Sequence, residues 1–117
     1  MSELSQSSCI PCRGDAPTLT EQEIGELLPE VPGWRVVERE GVKRLEREFT
    51  FADFRDALGF AVRVGMLAEK EDHHPDLHVA WGRVRMEVWT HKIRGLHRND
   101  FVLAAKAGAL FAPERTG

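Results

Sequence analysis

Between Phe51 and Pro75 the chain carries its longest helical pattern. On either side of it stands a pair of short alternating runs that can fold back at a glycine. That layout constrains the fold more than any bulk property of the sequence. From a possible N-cap at Asp53, the residues Phe54, Leu58, Ala61, Val62 and Gly65 recur on one helical face. Phe60, Val64 and Leu67 fall elsewhere on the same helix. The helix is therefore apolar on more than one side and is expected to cover a sheet while touching a second element or subunit. Pro75 disfavours α geometry at His74, which puts the helix end near Asp72 or His73.

The flanking runs read as two hairpins. Trp34 to Val37 suggests a first strand, and Glu40-Gly41 a turn. In the second run Leu45, Arg47, Phe49 and Phe51 form one face, with Arg44, Glu46, Glu48 and Thr50 on the other. Arg47 interrupts the apolar row and is expected near a sheet edge. Leu77, Val79 and Trp81 alternate up to a turn at Gly82. Val84, Met86 and Val88 then alternate against Arg83, Arg85, Glu87, Trp89 and His91. Before the first hairpin, Thr20 and Glu23 form a capping box, with Leu19 and Ile24 as a hydrophobic staple. Pro29, Pro32 and Gly33 end that helix. A last helix is expected from about Asn99 to Phe111, stopped by Pro113. The order α-β-β-α-β-β-α predicts an α+β domain, a four-stranded antiparallel sheet with helices packed on one face.

A length of 117 residues suits one domain. Residues 1–17 read as a flexible leader and 18–113 as the single folded unit. The formal net charge of −3 argues against a nucleic-acid binder working by bulk positive charge. No apolar run approaches the roughly 20 residues that cross a bilayer, and the first residues lack a secretory pattern. With two cysteines there is no disulfide framework, so a reducing cytoplasm is the expected compartment. The pair sits in the leader as Cys9-Ile10-Pro11-Cys12. Half a zinc site, a redox pair and no chemical duty are all open readings of it.

All five histidines fall between His73 and His97. The long helix ends in Glu69-Lys70-Glu71-Asp72, three acids where the helix dipole is already negative. Residues that are wrong for local structure tend to mark function or strain. The same field favours a protonated imidazole, which a general acid requires. His73 and His74 are adjacent and must diverge, by about 100° on a helix or to opposite faces on a strand. A hairpin turning at Gly82 returns the chain to where it left Pro75, which brings His91 towards that pair. Three convergent imidazoles could bind zinc, although adjacency is not the His-Glu-x-x-His spacing. They could instead move protons without a metal, one donating and another accepting. Solvated surface histidines are the competing reading.

Glu69, His73-His74-Pro75, Thr90-His91, Gly95-Leu96 and Asp100 together resemble the signature of the pterin-4a-carbinolamine dehydratases. Cys9, Cys12, Arg13-Gly14-Asp15 and Leu19-Thr20 resemble the leader of many bacterial members. The likeness spans essentially the whole chain. It implies a lyase that dehydrates 4a-hydroxytetrahydropterin to quinonoid dihydropterin, recycling the cofactor of aromatic amino acid hydroxylases, with no metal and no bound cofactor. It further implies that His73, His74 and His91 line the pterin pocket, while Glu69 and Asp100 orient substrate or imidazoles. His74 and His91 are the favoured acid–base pair. Trp81 and Trp89 offer flat faces to a ring, against a core or interface role, and Trp81 is carried as a substrate-binding candidate. The family implies a homodimer or homotetramer, and the two-sided helix is compatible with either. The alternative is a non-catalytic dimerisation or assembly partner on the same fold. Members usually have Ser or Thr after Gly-Leu; His97 stands there, so Asn99 is expected to cap the last helix.

Overall fold

The computed structural model describes residues 4–10 and 14–116. Its regular elements are α1 (Glu21–Leu27), β1 (Arg35–Arg39), β2 (Val42–Thr50), α2 (Phe54–Glu71), β3 (Asp76–Ala80), β4 (Arg83–Val88) and α3 (Arg98–Thr116). The strands form one antiparallel sheet in the order β1-β2-β4-β3. The α+β layout expected from the two hairpins and the long helix is what the chain adopts.

Side-chain alternation explains the layering. The register aligns Val36, Leu45 and Val88 in one cross-strand row, and Val79, Val84 and Phe49 in another. These rows face the helices. Phe49 packs on Phe60 of α2 at 4.7 Å between ring centroids and on Phe111 of α3 at 5.0 Å. Phe51 also meets Phe60, at 5.3 Å. The opposite face is charged. There Glu46 is buried beneath Arg35 and Arg39, while Glu87 accepts from Arg39 Nε at 2.8 Å and Arg44 Nη1 at 3.1 Å.

Three expectations need correction. Arg47 is not at an edge, because β2 is an interior strand. Its guanidinium lies 4.5 Å from the Phe49 ring centroid and donates to Pro32 O at 3.3 Å. Gly33, at φ +91°, makes room, since a Cβ there would come within 2.9 Å of Arg47. Burial pulls the Arg47 pKa down from its ordinary value. Second, α2 buries Ala57, Phe60, Ala61, Val64 and Ala68, so the sheet takes the Phe60–Val64 side. Of Phe54, Leu58, Ala61, Val62 and Gly65, read as one face, only Ala61 is buried, while Phe54, Leu58 and Val62 are exposed along with Met66. Third, α3 runs past Pro113 to Thr116. Proline costs a helix one hydrogen bond, but its locked φ is helical.

Helix termini and the segment ahead of α1 are fixed by local bonds and by burial. The capping box at Thr20 is present, with Glu23 N donating to Thr20 Oγ1 at 3.1 Å and Thr20 N to Glu23 Oε1 at 2.8 Å. Residues 4–10, read as leader, include a short 3-10 turn at Leu4–Gln6 that places Leu4, 1% exposed, in the core. Cys12 lies outside the described residues.

Candidate active site

α2 ends in a left-handed residue, Asp72 at φ 53°. Its N–H bonds Glu69 O at 3.3 Å, and the next N–H, from His73, reaches Ala68 O at 3.2 Å. This is a Schellman closure, which turns the chain sharply out of the helix. Asp tolerates the left-handed region better than most residues. The turn delivers His73 and His74 to the end of β3, and Pro75 keeps the helix from continuing.

His91 arrives from the other side. The β3–β4 register pairs Asp76 with Glu87 at the open end of the hairpin, so the chain leaving β4 returns beside the chain entering β3. Thr90 and Gly95 then close a small loop, Thr90 N donating to Gly95 O at 2.9 Å. Gly95 lets Thr18 pack close, since a Cβ there would lie 2.5 Å from Thr18 Cγ2 and force that side chain to shift. Within the loop the His91 ring stacks on Trp89, with centroids 3.9 Å apart and planes at 32°. Arg44 covers Trp89, its Cζ 4.5 Å from the ring.

His73, His74 and His91 line one cavity of about 320 Å³, within the usual range for small-molecule sites. Each is placed differently. His73 Nε2–H donates to Asp100 Oδ1 at 2.6 Å, and its side chain is mostly covered. His74 Nε2–H donates to Glu69 Oε2 at 2.6 Å, with both side chains exposed. His91 is exposed and held by the stack.

Asp100 is the centre of this arrangement. It is 0% exposed. Besides His73, it accepts from Thr90 Oγ1 at 2.8 Å and from His97 N at 2.8 Å. Burying a carboxylate without partners is costly, and three donors on its two oxygens offset that cost. A single side chain thereby ties the start of α3 to both histidine-bearing segments.

Among the remaining sequence candidates, Trp81 is 71% exposed in the β3–β4 turn, at the opposite end of the hairpin from the cavity. His78 is an exposed residue of β3 on the charged face of the sheet. The expected cap at Asn99 is replaced. His97 Nδ1 accepts the Asn99 N–H at 3.1 Å, so the imidazole does the work usually given to Ser or Thr. Asn99 is buried and bonds the leader instead: Ile10 N donates to Asn99 Oδ1 at 3.0 Å, and Asn99 Nδ2 to Ile10 O at 2.7 Å. Cys9 N donates to Glu71 Oε1 at 2.8 Å. Burial pushes the Cys9 thiol up to about 12, and the charges of Glu71 and Asp100 add to the shift. It stays protonated at neutral pH and acts as a weak donor to Asn99 O, at 3.5 Å. Among the described residues no group of three His, Cys, Asp or Glu is placed to hold a metal ion.

The family model for pterin 4 alpha carbinolamine dehydratase matches residues 17–110. A relative from Gloeobacter violaceus, provisionally named pterin-4-alpha-carbinolamine dehydratase 1, is 55% identical over 93% of this chain and 94% of its own. One from Chlorobium luteolum with the same provisional activity is 52% identical over 95% and 97%. A crystal structure described as a transcriptional coactivator/pterin dehydratase from Brucella melitensis superposes with a TM-score of 0.75 at 37% identity, covering 81% of this chain and 99% of that one. A pterin dehydratase-like protein described as a RuBisCO assembly factor in the alpha-carboxysome gives a TM-score of 0.56 at 19% identity, covering 67% and 88%. That last likeness is one of fold alone. The family match across most of the chain and near-full-length relatives about half identical lead to one conclusion: the chain belongs to the pterin carbinolamine dehydratase family.

Proposed function

We propose that the chain dehydrates a 4a-hydroxytetrahydropterin to quinonoid dihydropterin and water, as a hydro-lyase that returns the pterin to its reducible form. The observation that carries this reading is the meeting of three imidazoles, from two separate chain segments, in one small cavity. Loss of water from a carbinolamine needs one proton delivered to the 4a-hydroxyl and one taken from the adjacent ring nitrogen. The C4a–O bond breaks with its electron pair leaving as water, and the nitrogen lone pair forms the C=N bond. No oxidation state changes, so two proton carriers suffice. His74 and His91 are exposed to the cavity and serve as the acid–base pair. His73, committed to Asp100 through Nε2, binds or orients the substrate. Glu69 holds His74 in one tautomer.

The test is a stopped-flow assay of the purified protein on freshly generated 4a-hydroxytetrahydropterin. Acceleration well above the uncatalysed rate is expected; a rate equal to buffer overturns the reading.

A second copy of the chain is the proposed occupant of the exposed α2 row of Phe54, Leu58, Val62 and Met66, giving a homodimer or homotetramer. A Val62→Glu variant is expected to sediment as a smaller species than the wild type; unchanged sedimentation contradicts this. The same row favours the alternative of a non-catalytic assembly partner, which a stable stoichiometric complex together with an inactive wild type would bear out. Among the described residues no helix is long and apolar enough to cross a membrane, which fits the proposed cytoplasmic setting.

A further inference from the structure

We propose that Cys9-Ile10 is a built-in wall of the pterin cavity, with Ile10 the side chain that contacts the flat ring and Asn99 the residue that positions it. This deepens the proposed dehydratase reading and rests on it. Both Cys9 and Ile10 line the cavity that holds the three imidazoles. Ile10 is 61% exposed, so its side chain is accessible to a ring entering the cavity. Of the other lining residues, His73, His74, His91, Asp72 and Glu71 are polar or charged, and Trp89 is already stacked on His91. A bicyclic heteroaromatic substrate has a polar edge and apolar faces. The imidazoles and carboxylates suit the edge, and Ile10 supplies what they lack.

The segment is fixed rather than merely adjacent. Asn99 is 3% exposed, and its side-chain amide meets both the N–H and the C=O of Ile10 across 89 residues of sequence. This two-bond clamp copies a β-bridge. Glu71 holds the preceding N–H, and Cys9 Sγ–H donates to Asn99 O. The anchors are not random positions. Asn99 precedes Asp100, which holds His73, and Glu71 stands two residues before His73. The wall and the catalytic segment therefore hang from the same two turns of helix, and their separation is set by rigid backbone.

The experiment measures dehydration kinetics for full-length wild type, Ile10→Gly and Asn99→Ala. Ile10→Gly alters an exposed side chain, so it tests the contact even if Asn99→Ala folds poorly. Both variants are expected to raise KM about tenfold, the scale of one lost apolar contact, with kcat within about twofold. Unchanged KM in Ile10→Gly overturns the proposal. So does a fall in kcat at constant KM in Asn99→Ala, which would place Asn99 among the groups that move protons. An inactive wild type removes the dehydratase reading itself and this wall with it, whereas an active wild type with indifferent variants removes the wall alone.

Discussion

At the scale of single residues, a buried carboxylate ties the histidine-bearing segments to the start of α3. Asp100 receives three hydrogen bonds, from His73, Thr90 and His97. Asp100→Asn keeps the shape but turns one acceptor into a donor facing donors. Loss of a buried hydrogen-bond partner costs about 1–3 kcal/mol of stability, and a displaced His73 should lower kcat/KM by about 10²-fold. Urea unfolding and steady-state kinetics on the same preparation check both numbers; full activity would show that His73 orientation is irrelevant. The histidines were legible in the sequence because their crowding is abnormal and hairpin geometry brings His91 back to the pair. The clamp by Asn99 was not, because a side-chain amide bonding a distant backbone leaves no periodic trace. The cap expected at Asn99 was misplaced for a related reason: an imidazole where Ser or Thr is usual gives no capping signal until its Nδ1 is seen accepting the Asn99 N–H.

At the scale of elements, the end of α2 converts helix into site. Asp72 takes a left-handed conformation that costs a residue with a Cβ about 1 kcal/mol, and its charge opposes the helix dipole. Asp72→Gly removes both penalties. It is expected to raise stability by about 1 kcal/mol, read as a higher denaturant midpoint with an unchanged slope. A lower midpoint would mean that the Asp72 side chain, not the turn, holds His73 in place. The same helix shows why sequence could not choose between its faces. Phe54-Leu58-Val62 and Phe60-Val64 are both apolar rows, and period alone ranks neither. The choice is made by the aromatic cluster, since Phe60 meets Phe49 and Phe51 across the sheet. Arg47 was misplaced for a similar reason. Its charge argues for an edge, but its guanidinium can lie over the Phe49 and Phe111 rings while bonding Pro32 O. The capping box at Thr20, by contrast, is wholly local and was readable as it stands.

At the scale of the whole molecule, the sheet separates two tasks. One face builds the core beneath the helices. The other carries an ion network around Glu46 and Glu87. Burial works to raise the Glu46 pKa, but Arg35 and Arg39 on its oxygens win and hold it below its ordinary value. A carboxyl with a lowered native pKa contributes stability above its unfolded-state value, and that contribution is lost as pH falls through the native one. Wild-type stability should therefore decline as pH drops below about 4.5. Glu46→Gln should lack that part of the decline; an identical acid profile in the two proteins would contradict the network's role. The assigned chemistry stands or falls with the imidazoles of the cavity. The dehydration rates of His74→Ala and His91→Ala, each checked for native circular dichroism, probe them without an intermediary. Each variant is expected to lose about 10²-fold or more in kcat, the usual share of a positioned acid or base. Near-wild-type turnover in both would contradict the acid–base role.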